Sequence, residues 1–511
     1  MAKAVDQEFG SVRGLLWPIH SYELKKLIPM AIMAFFISFN YTIVRDTKDA
    51  LIVTAAGAET LPWLKTIGTV PGAIVFMIVY LKLSNILSRE KLFYAAMVPF
   101  LIFFALFPLV IYPYRDAIQP SSAPWLESVL PLGWRGLIGM YTNWTFSLFY
   151  IMAELWGSAV LSLMFWGFAN QITRTTEAKR FYSLFGIAFN LALTISGPLV
   201  QYYSGEGAKV PAGVDAGQVM LNSLMSIVVL AALTIMGTYW WMNRYVLPDP
   251  RFYDPNEVKK EKKKLTMSVG EAVKFILGSP YLLCLAVLVM AYGISINLIE
   301  VTWKDQVRLQ YPTKNEYNHF MGGFSGATGW VTIFMSLFVG GNLIRRMGWN
   351  FSALFTPVVI GVTSVGFFAF VIFKNDLSHL AGLLGTTPLM MAVMFGYVQN
   401  IMSKSSKYTL FDPTKEMSYI PLDSESKVKG KAAVDVVVAR LGKGGGAAIW
   451  IFLLAFGSIS QLLPVVAGIV LVIIIAWIVA VVTLNKLYLE ACKKKDMELA
   501  AEAANKSVTA G

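Results

Sequence analysis

Residues 37–53 read ISFNYTIVRDTKDALIV and continue an apolar run that starts at Leu27, with no Pro or Gly between Pro29 and Gly57. Arg45, Asp46, Lys48 and Asp49 stand close together in the middle of it. A membrane span takes roughly 20 residues, so a helix begun near Met30 is still inside the hydrocarbon when it reaches these charges. Each costs about 2.5–3.5 kcal/mol at that depth, and they must face a partner or a watery cavity, not lipid. The competing reading ends the helix at Val44 and makes RDTKD a solvated cap, but the chain turns apolar again at Ala50. Charges held inside a span mark a pathway for a polar substrate.

The rest of the chain is apolar in the same way. Of 511 residues, 56% are hydrophobic and 14% charged, and the mean hydropathy is +0.58. Runs apolar on every side recur at spanning length, which predicts an all-α polytopic membrane protein with twelve transmembrane helices. The expected spans are roughly 28–56, 62–82, 92–113, 137–170, 180–203, 218–245, 279–303, 319–344, 351–373, 383–403, 432–457 and 460–485. They divide the chain into an N-terminal segment (1–27), a six-helix half (28–245), a basic linker (246–278), a second six-helix half (279–486) and a tail (487–511). The linker carries KKEKKK at 259–264 and reads as a solvated connection.

With both ends on one side, the tails and the loops on that side hold 28 of the 43 basic residues. The opposite loops hold 7: Arg115, Arg135, Lys209, Lys304, Arg308, Lys314 and Lys374. By the positive-inside rule both termini are cytoplasmic. The net charge of +12 fits such loops and an anionic substrate. Cys284 and Cys492 are too far apart in sequence for a disulfide framework, and His20, His319 and His379 too scattered for a metal cluster. The first 26 residues have neither a cleavable signal nor a transit-peptide composition, so the first span is expected to be its own insertion signal.

The halves echo one another. ISFN at 37–40 precedes Lys48-Asp49, and ISIN at 294–297 precedes Lys304-Asp305. Ala169-Asn170-Gln171-Ile172 in the fourth span matches Gln399-Asn400-Ile401 in the tenth, and Ser84-Asn85-Ile86-Leu87-Ser88-Arg89 matches Gly341-Asn342-Leu343-Ile344-Arg345-Arg346. Echoes at corresponding places argue for a duplicated six-helix unit of the major-facilitator kind, in which the first, fourth, seventh and tenth spans line a cavity.

The remaining intramembrane charges fall largely on those spans. Asn143, Ser147, Tyr150, Glu154 and Ser158 recur at three- or four-residue steps, a polar stripe on one face of the fourth. Glu300 ends the seventh, three residues after Asn297, where a solvated helix end is the alternative. Lys65 starts the second. Asp435, Arg440 and Lys443 share one broad face of the eleventh, beside Gly442 and Gly444–Gly446. For these cations the alternative is a helix-end charge snorkelling to the interface. Glycines around Lys443 resemble a phosphate loop, but Val437 stands where its first Gly belongs and no strand precedes it. Arg45, Lys48, Lys65, Arg440 and Lys443 set against carboxylates suit a multiply charged anion such as a phosphate. Tyr41, Trp144, Tyr150 and Trp303 are candidate platforms for a nucleobase, though packing is the commoner role. No cofactor is called for, and an intramembrane enzyme lacks a nucleophile–base pair.

FNYTIVRDTKDALIVTA, FYIMAELWGSAVLSLMFWGFANQIT, YGISINLIEVTWK, SKYTLFDPTKEMSYIPLD and KVKGKAAVDVV followed by LGK are similar to blocks of the ATP/ADP translocase family of obligate intracellular bacteria and plastids. The resemblance runs from about Lys25 to Leu484 and is strongest to chlamydial members. It implies a nucleotide antiporter that imports ATP and exports ADP without hydrolysis. It also implies that the four critical charges are Lys65, Glu154, Glu300 and Lys443. Paralogues carry other nucleotides or co-transport protons. The absent transit peptide leads to the expectation of a bacterial inner membrane, with the bilayer, ATP and ADP as partners, no nucleic acid, and a monomer.

Overall fold

A bilayer offers the backbone no hydrogen-bond partner, so apolar runs of this length satisfy their N–H and C=O groups within helices. The computed structural model describes residues 19–120, 122–205, 210–253 and 269–509, and no strand occurs among them. The basic run at 259–264 and most of the N-terminal segment lie outside the described residues. The first six long helices are α1 (Leu24–Ala56), α2 (Thr60–Ser84), α3 (Arg89–Ile111), α4 (Trp144–Ile172), α5 (Thr175–Ser204) and α6 (Ala216–Tyr245). The next six are α7 (Pro280–Gln310), α8 (Lys314–Phe334), α9 (Gly341–Ile372), α10 (Pro388–Ser406), α11 (Ala439–Leu454) and α12 (Ile459–Thr509). Side-chain caps fix several starts: Ser279 Oγ accepts from Leu282 N, Thr387 Oγ1 from Met390 N, and Thr313 and Glu316 cap each other's N–H groups.

Arg45–Asp49 lie inside α1, which runs unbroken to Ala56, so RDTKD is no cap. Ten helical runs among the described residues are long and apolar enough to cross a bilayer, against the twelve spans expected. The difference has two causes. Lys314–Ile372 continues through a π-helical stretch at Met335–Gly340 and holds two spanning helices that meet directly at a kink at Gly348, whose φ of +79° a residue without Cβ adopts cheaply. The segment around α10 is too polar to qualify, because it carries Gln399, Asn400, Ser403 and Lys404. Two expected ends also move: α7 continues past 303 to Gln310, and α10 past 403 into a π-helical turn at Lys407–Phe411. The fourth span is interrupted at Asn143 (φ −113°, ψ 43°), with Arg135–Thr142 a separate short helix.

Both described ends lie on one face of the bundle. There Lys26 Nζ donates to Glu177 (2.7 Å) and to the Phe252 carbonyl (2.8 Å), Tyr281 donates to the Ser418 carbonyl (2.6 Å), and Lys495 to that of Ile420 (2.6 Å). Each of these contacts stays within α1–α6 or within α7–α12.

On the opposite face the two sets of helices meet. Asn318 Nδ2 donates to Ser204 Oγ (3.0 Å), Asn315 Nδ2 to the Ala216 carbonyl (3.2 Å), and the His319 ring sits against Gln201 (2.8 and 3.2 Å). Lys314 packs on the rings of Tyr112 and Phe146. Below these polar contacts α5 crosses α8 nearly backbone to backbone. A Cβ on Gly197 would stand 2.2 Å from Gly326 N, and one on Gly322 2.6 Å from Gln201 N. The space between the two sets is closed here, whereas the contacts named at the terminal face stay within one set or the other.

Filling this crossing is expected to pry it apart. Gly197→Val should cost about 1–3 kcal/mol by overpacking and lower the melting temperature in detergent. In a background free of other cysteines, Ser204→Cys should be labelled faster from the closed face when Gly197→Val is present. Unchanged labelling and melting would show that the crossing does not hold the face shut.

Candidate functional site

Lys48 and Asp49 are adjacent on α1, about 100° apart around the helix, so one turns toward α4 and the other toward α7. Lys48 Nζ lies 3.1 Å from Glu154 Oε1 on α4 and 2.8 Å from Asp49 Oδ1. Asp49 Oδ2 lies 2.8 Å from Lys304 Nζ on α7. Glu300 and Lys304, four residues apart, stack on one face of α7 at 3.2 Å. Glu300 Oε2 then reaches Lys65 Nζ on α2 at 3.7 Å. The result is a ladder of alternating charge, Glu154–Lys48–Asp49–Lys304–Glu300–Lys65, built from four helices.

Neighbouring groups fix its ends. Lys65 donates to Asn297 Oδ1 (2.8 Å), whose amide donates to the Gly293 carbonyl (2.8 Å). The Lys48 ammonium sits 3.7 Å from the centre of the Tyr150 ring, a cation–π contact. A side branch lies one turn away on α1: Arg45 Nη2 donates to Ser325 Oγ on α8 (2.9 Å), which donates to Asp46 Oδ2 (2.5 Å). Arg45 Nε is 3.2 Å from Asp46 Oδ1. Four cations and four carboxylates therefore neutralise one another.

Exposure divides the ladder. The side chains of Lys48, Asp49 and Lys304 are 2–4% exposed, while those of Glu154, Glu300 and Lys65 are 22–27% exposed. Its middle is sealed and its ends face accessible space. Lys65 lies in a π-helical stretch (Leu64–Thr69), and another (Trp156–Phe165) begins two residues after Glu154. Such widened turns re-aim side chains and are frequent at functional sites.

Six of the ten residues expected to form a site, Lys48, Lys65, Tyr150, Glu154, Asn297 and Glu300, are in the ladder or touch it, and Arg45 is in its side branch. The other three stand apart. Asn143 occupies the break before α4 and its amide donates to the Gly139 carbonyl (3.2 Å). Arg440 and Lys443 are exposed on α11 and make no ion pair among the described residues. Asp435, at the start of the same helical segment, pairs with Lys415 (2.7 Å) and stands in a π-helical stretch at Ala433–Val438. Even so, α11 hugs α7. A Cβ on Gly293 would meet Gly442 and Lys443 N at 2.9–3.1 Å, and Gly446 packs on Asn297, so Lys443 stands one turn of α7 from the partner of Lys65.

Of the four aromatic candidates, Tyr150 and Tyr41 are at the charges, Tyr41 5.8 Å from the Arg45 guanidinium. Trp303 is buried, donating to the Val393 carbonyl (3.0 Å), and Trp144 donates to that of Ile118 (3.0 Å) on the closed face.

Asp49 and Lys304 complete the ladder and were not among the expected site residues. By hydropathy Lys304 falls in an outer loop, one residue past the expected end of the seventh span, whereas the helix runs on to Gln310. The repeat of Lys48-Asp49 as Lys304-Asp305 was the signal that both belong inside. Lys404, likewise placed just beyond the tenth span, lies on α10 over the Phe324 ring at 4.6 Å.

The arrangement is a set of lysines whose present partners are carboxylates and whose charge suits phosphate oxygens equally well. Asp49–Lys304, Lys65–Glu300 and Arg45–Ser325 all join α1–α6 to α7–α12, so a ligand that takes over a lysine also loosens a tie between the two sets.

The sequence model of the TLC ATP/ADP transporter family matches residues 2–488. The chain is 56% identical over 504 residues to ADP,ATP carrier protein 1 of Chlamydia muridarum, covering 98% of this chain and 95% of that one. It is 49% identical over 485 residues to the chloroplastic ADP,ATP carrier protein 1 of Arabidopsis thaliana, covering 93% and 77%. Among solved structures, a bacterial homologue of the iron transporter ferroportin in an inward-facing state is similar in fold, with a TM-score of 0.55 at 13% identity over 91% of this chain and 99% of that chain.

Breaking the sealed middle should be costly. Removing one partner of a buried pair costs about 3–5 kcal/mol, because the other charge is left uncompensated. Asp49→Asn and Lys304→Gln are each expected to destabilise by that order, and the double variant by clearly less than their sum. Thermal unfolding of the four proteins in detergent measures the coupling; additive losses would mean that the pair does not form.

Proposed function

The chain belongs to the TLC ATP/ADP transporter family, and from that premise we propose that it is a membrane antiporter exchanging ATP for ADP by alternating access, with the charge ladder as the seat of the substrate phosphates. The observation that carries the site is the ladder itself, a neutral row of paired charges between helices from both ends of the chain.

Lys65, at one accessible end, and Lys48, buried behind Glu154 at the other, receive phosphate oxygens, while Glu300 and Glu154 give them up and take them back when the nucleotide leaves. Turning the cavity from one face to the other parts Asp49 from Lys304. With the site empty this strands buried charges, whereas a bound polyanion supplies replacement partners. Movement is thereby tied to occupancy, and the carrier exchanges one nucleotide for another. Lys443, one turn from Asn297 across the α7–α11 contact, and Arg440 extend the positive surface toward the open end.

The same reasoning assigns the chain to a bacterial inner membrane with both termini in the cytoplasm. Moving Lys304 and Lys404 out of the loops takes one basic residue from each side and leaves the positive excess on the terminal face. The cavity is enclosed by one chain, so a monomer suffices. Transport without hydrolysis is supported by the sequence around Lys443, which departs from a phosphate loop.

Purified protein in ADP-loaded liposomes should take up labelled ATP, lose that uptake when the lumen is empty, and release no inorganic phosphate. Uptake independent of internal nucleotide, or phosphate release that tracks uptake, would overturn exchange without hydrolysis. Lys65→Gln, Glu300→Gln and Lys443→Gln are each expected to slow exchange at least about tenfold, the scale of one charge-assisted hydrogen bond, while inserting normally. Full exchange by any one removes that residue from the site.

A further inference from the structure

The ladder and its side branch balance four cations against four carboxylates, and Lys404 is left over. It lies on α10 within electrostatic range of Glu300, Arg45, Lys304 and Asp46. No carboxylate comes within ion-pair distance of it among the described residues, and its ammonium lies over the Phe324 ring at 4.6 Å. A ring face offsets part of an ammonium's lost hydration but supplies no oxygen. The other lysines of the cluster all have oxygen partners.

The helix that carries Lys404 is incompletely satisfied beside it. Gln399, Asn400 and Ser403 are fully buried. Both polar atoms of the Gln399 amide and the Asn400 carbonyl oxygen have no hydrogen-bond partner. At about 100° per residue, positions 399, 400, 403 and 404 fall within about 140° of one another, a single polar side of α10. Buried polar groups without partners are rare in native structures, and each calls for a ligand, water or ion.

We infer that Lys404 is an oxyanion-binding residue of the cavity, taking a phosphoryl group alongside the polar side of α10 formed by Gln399, Asn400 and Ser403. This rests on the nucleotide-exchange reading and deepens it. Lys48, Lys65 and Lys304 must release a carboxylate before they can hold phosphate, whereas Lys404 accepts one with nothing displaced. Among the cations packed against the ladder it is therefore the one that a polyanion satisfies without breaking an ion pair. A phosphoryl oxyanion fits whether it ends a nucleotide or is free, so both sources enter the test.

The experiment compares wild type, Lys404→Gln and Lys404→Arg in ADP-loaded liposomes and, as purified protein, in thermal-shift titrations with ATP, ADP, adenosine and inorganic phosphate. Lys404→Gln should raise the half-saturating concentration of ATP at least about tenfold, and Lys404→Arg should stay within about threefold of wild type. The binding midpoints of ATP and ADP should shift in the same way, while that of adenosine stays unchanged. Heat protection by inorganic phosphate that is lost in Lys404→Gln assigns the residue to free phosphate as well, and protection by nucleotides alone assigns it to their phosphates; either supports an oxyanion role. An unchanged half-saturating concentration in Lys404→Gln overturns the proposal. So does an equal fall in maximal rate in both variants with unchanged binding, which marks a structural lysine. Failure of the wild type to exchange ATP for ADP sinks the exchange reading instead, and leaves the binding titrations to judge Lys404.

Discussion

A carboxylate and an ammonium 2.8 Å apart, Asp49 and Lys304, join the first helix of the chain to the seventh in the sealed middle of the bundle. Neither charge is tolerable there alone, and their attraction offsets the lost hydration only if geometry and further partners are good. That condition shapes what surrounds them. Lys48 and Glu300 flank the pair, Glu154 and Lys65 close the row, and Tyr150 and Asn297 hold the ends. Close α5–α8 and α7–α11 contacts, made through Gly197, Gly326, Gly293 and Gly442, pack the helices around the row.

Much of this was legible in the sequence. Charges in mid-run at 45–49 decided both the membrane class and the cavity, since no other burial of Lys48 and Asp49 makes physical sense. Glu154 followed from apolar sequence on both sides of it. What stayed hidden depends on distances between helices. Hydropathy ends a span at its first charge, so Lys304 and Lys404 were assigned to loops, although a buried partner lets α7 run on to Gln310. Register was the second obstacle. The spacing of Asp435, Arg440 and Lys443 is read on a regular helix, whereas Asp435 stands in a π-helical stretch at Ala433–Val438 and pairs with Lys415. Asn143 fits the stripe of the fourth span by spacing, but it sits where the helix is interrupted.

Four of the six π-helical stretches among the described residues fall in corresponding helices; those at Phe107–Ile111 and Ala433–Val438 do not. Those in α4 (Trp156–Phe165) and after α10 (Lys407–Phe411) follow Glu154 and Lys404 closely, and those at Leu64–Thr69 and Met335–Gly340 lie in α2 and after α8. The second and eighth helices, and the fourth and tenth, correspond under the duplication expected from the sequence echoes. The wide turns at Leu64–Thr69 and Trp156–Phe165 put irregular backbone beside Lys65 and Glu154, where a polar interior can satisfy it.

The burial of the ladder separates it from the surrounding electrolyte. Mobile ions screen exposed charges over about 8 Å at physiological ionic strength but act little on pairs withdrawn from water. Arg115–Asp215 on the closed face, with the carboxylate 42% exposed, is open to that screening, whereas Asp49–Lys304, at 3–4%, is not. Salt in the medium can weaken the rim of the closed face, but the tie at its centre keeps its strength in dilute and concentrated surroundings alike.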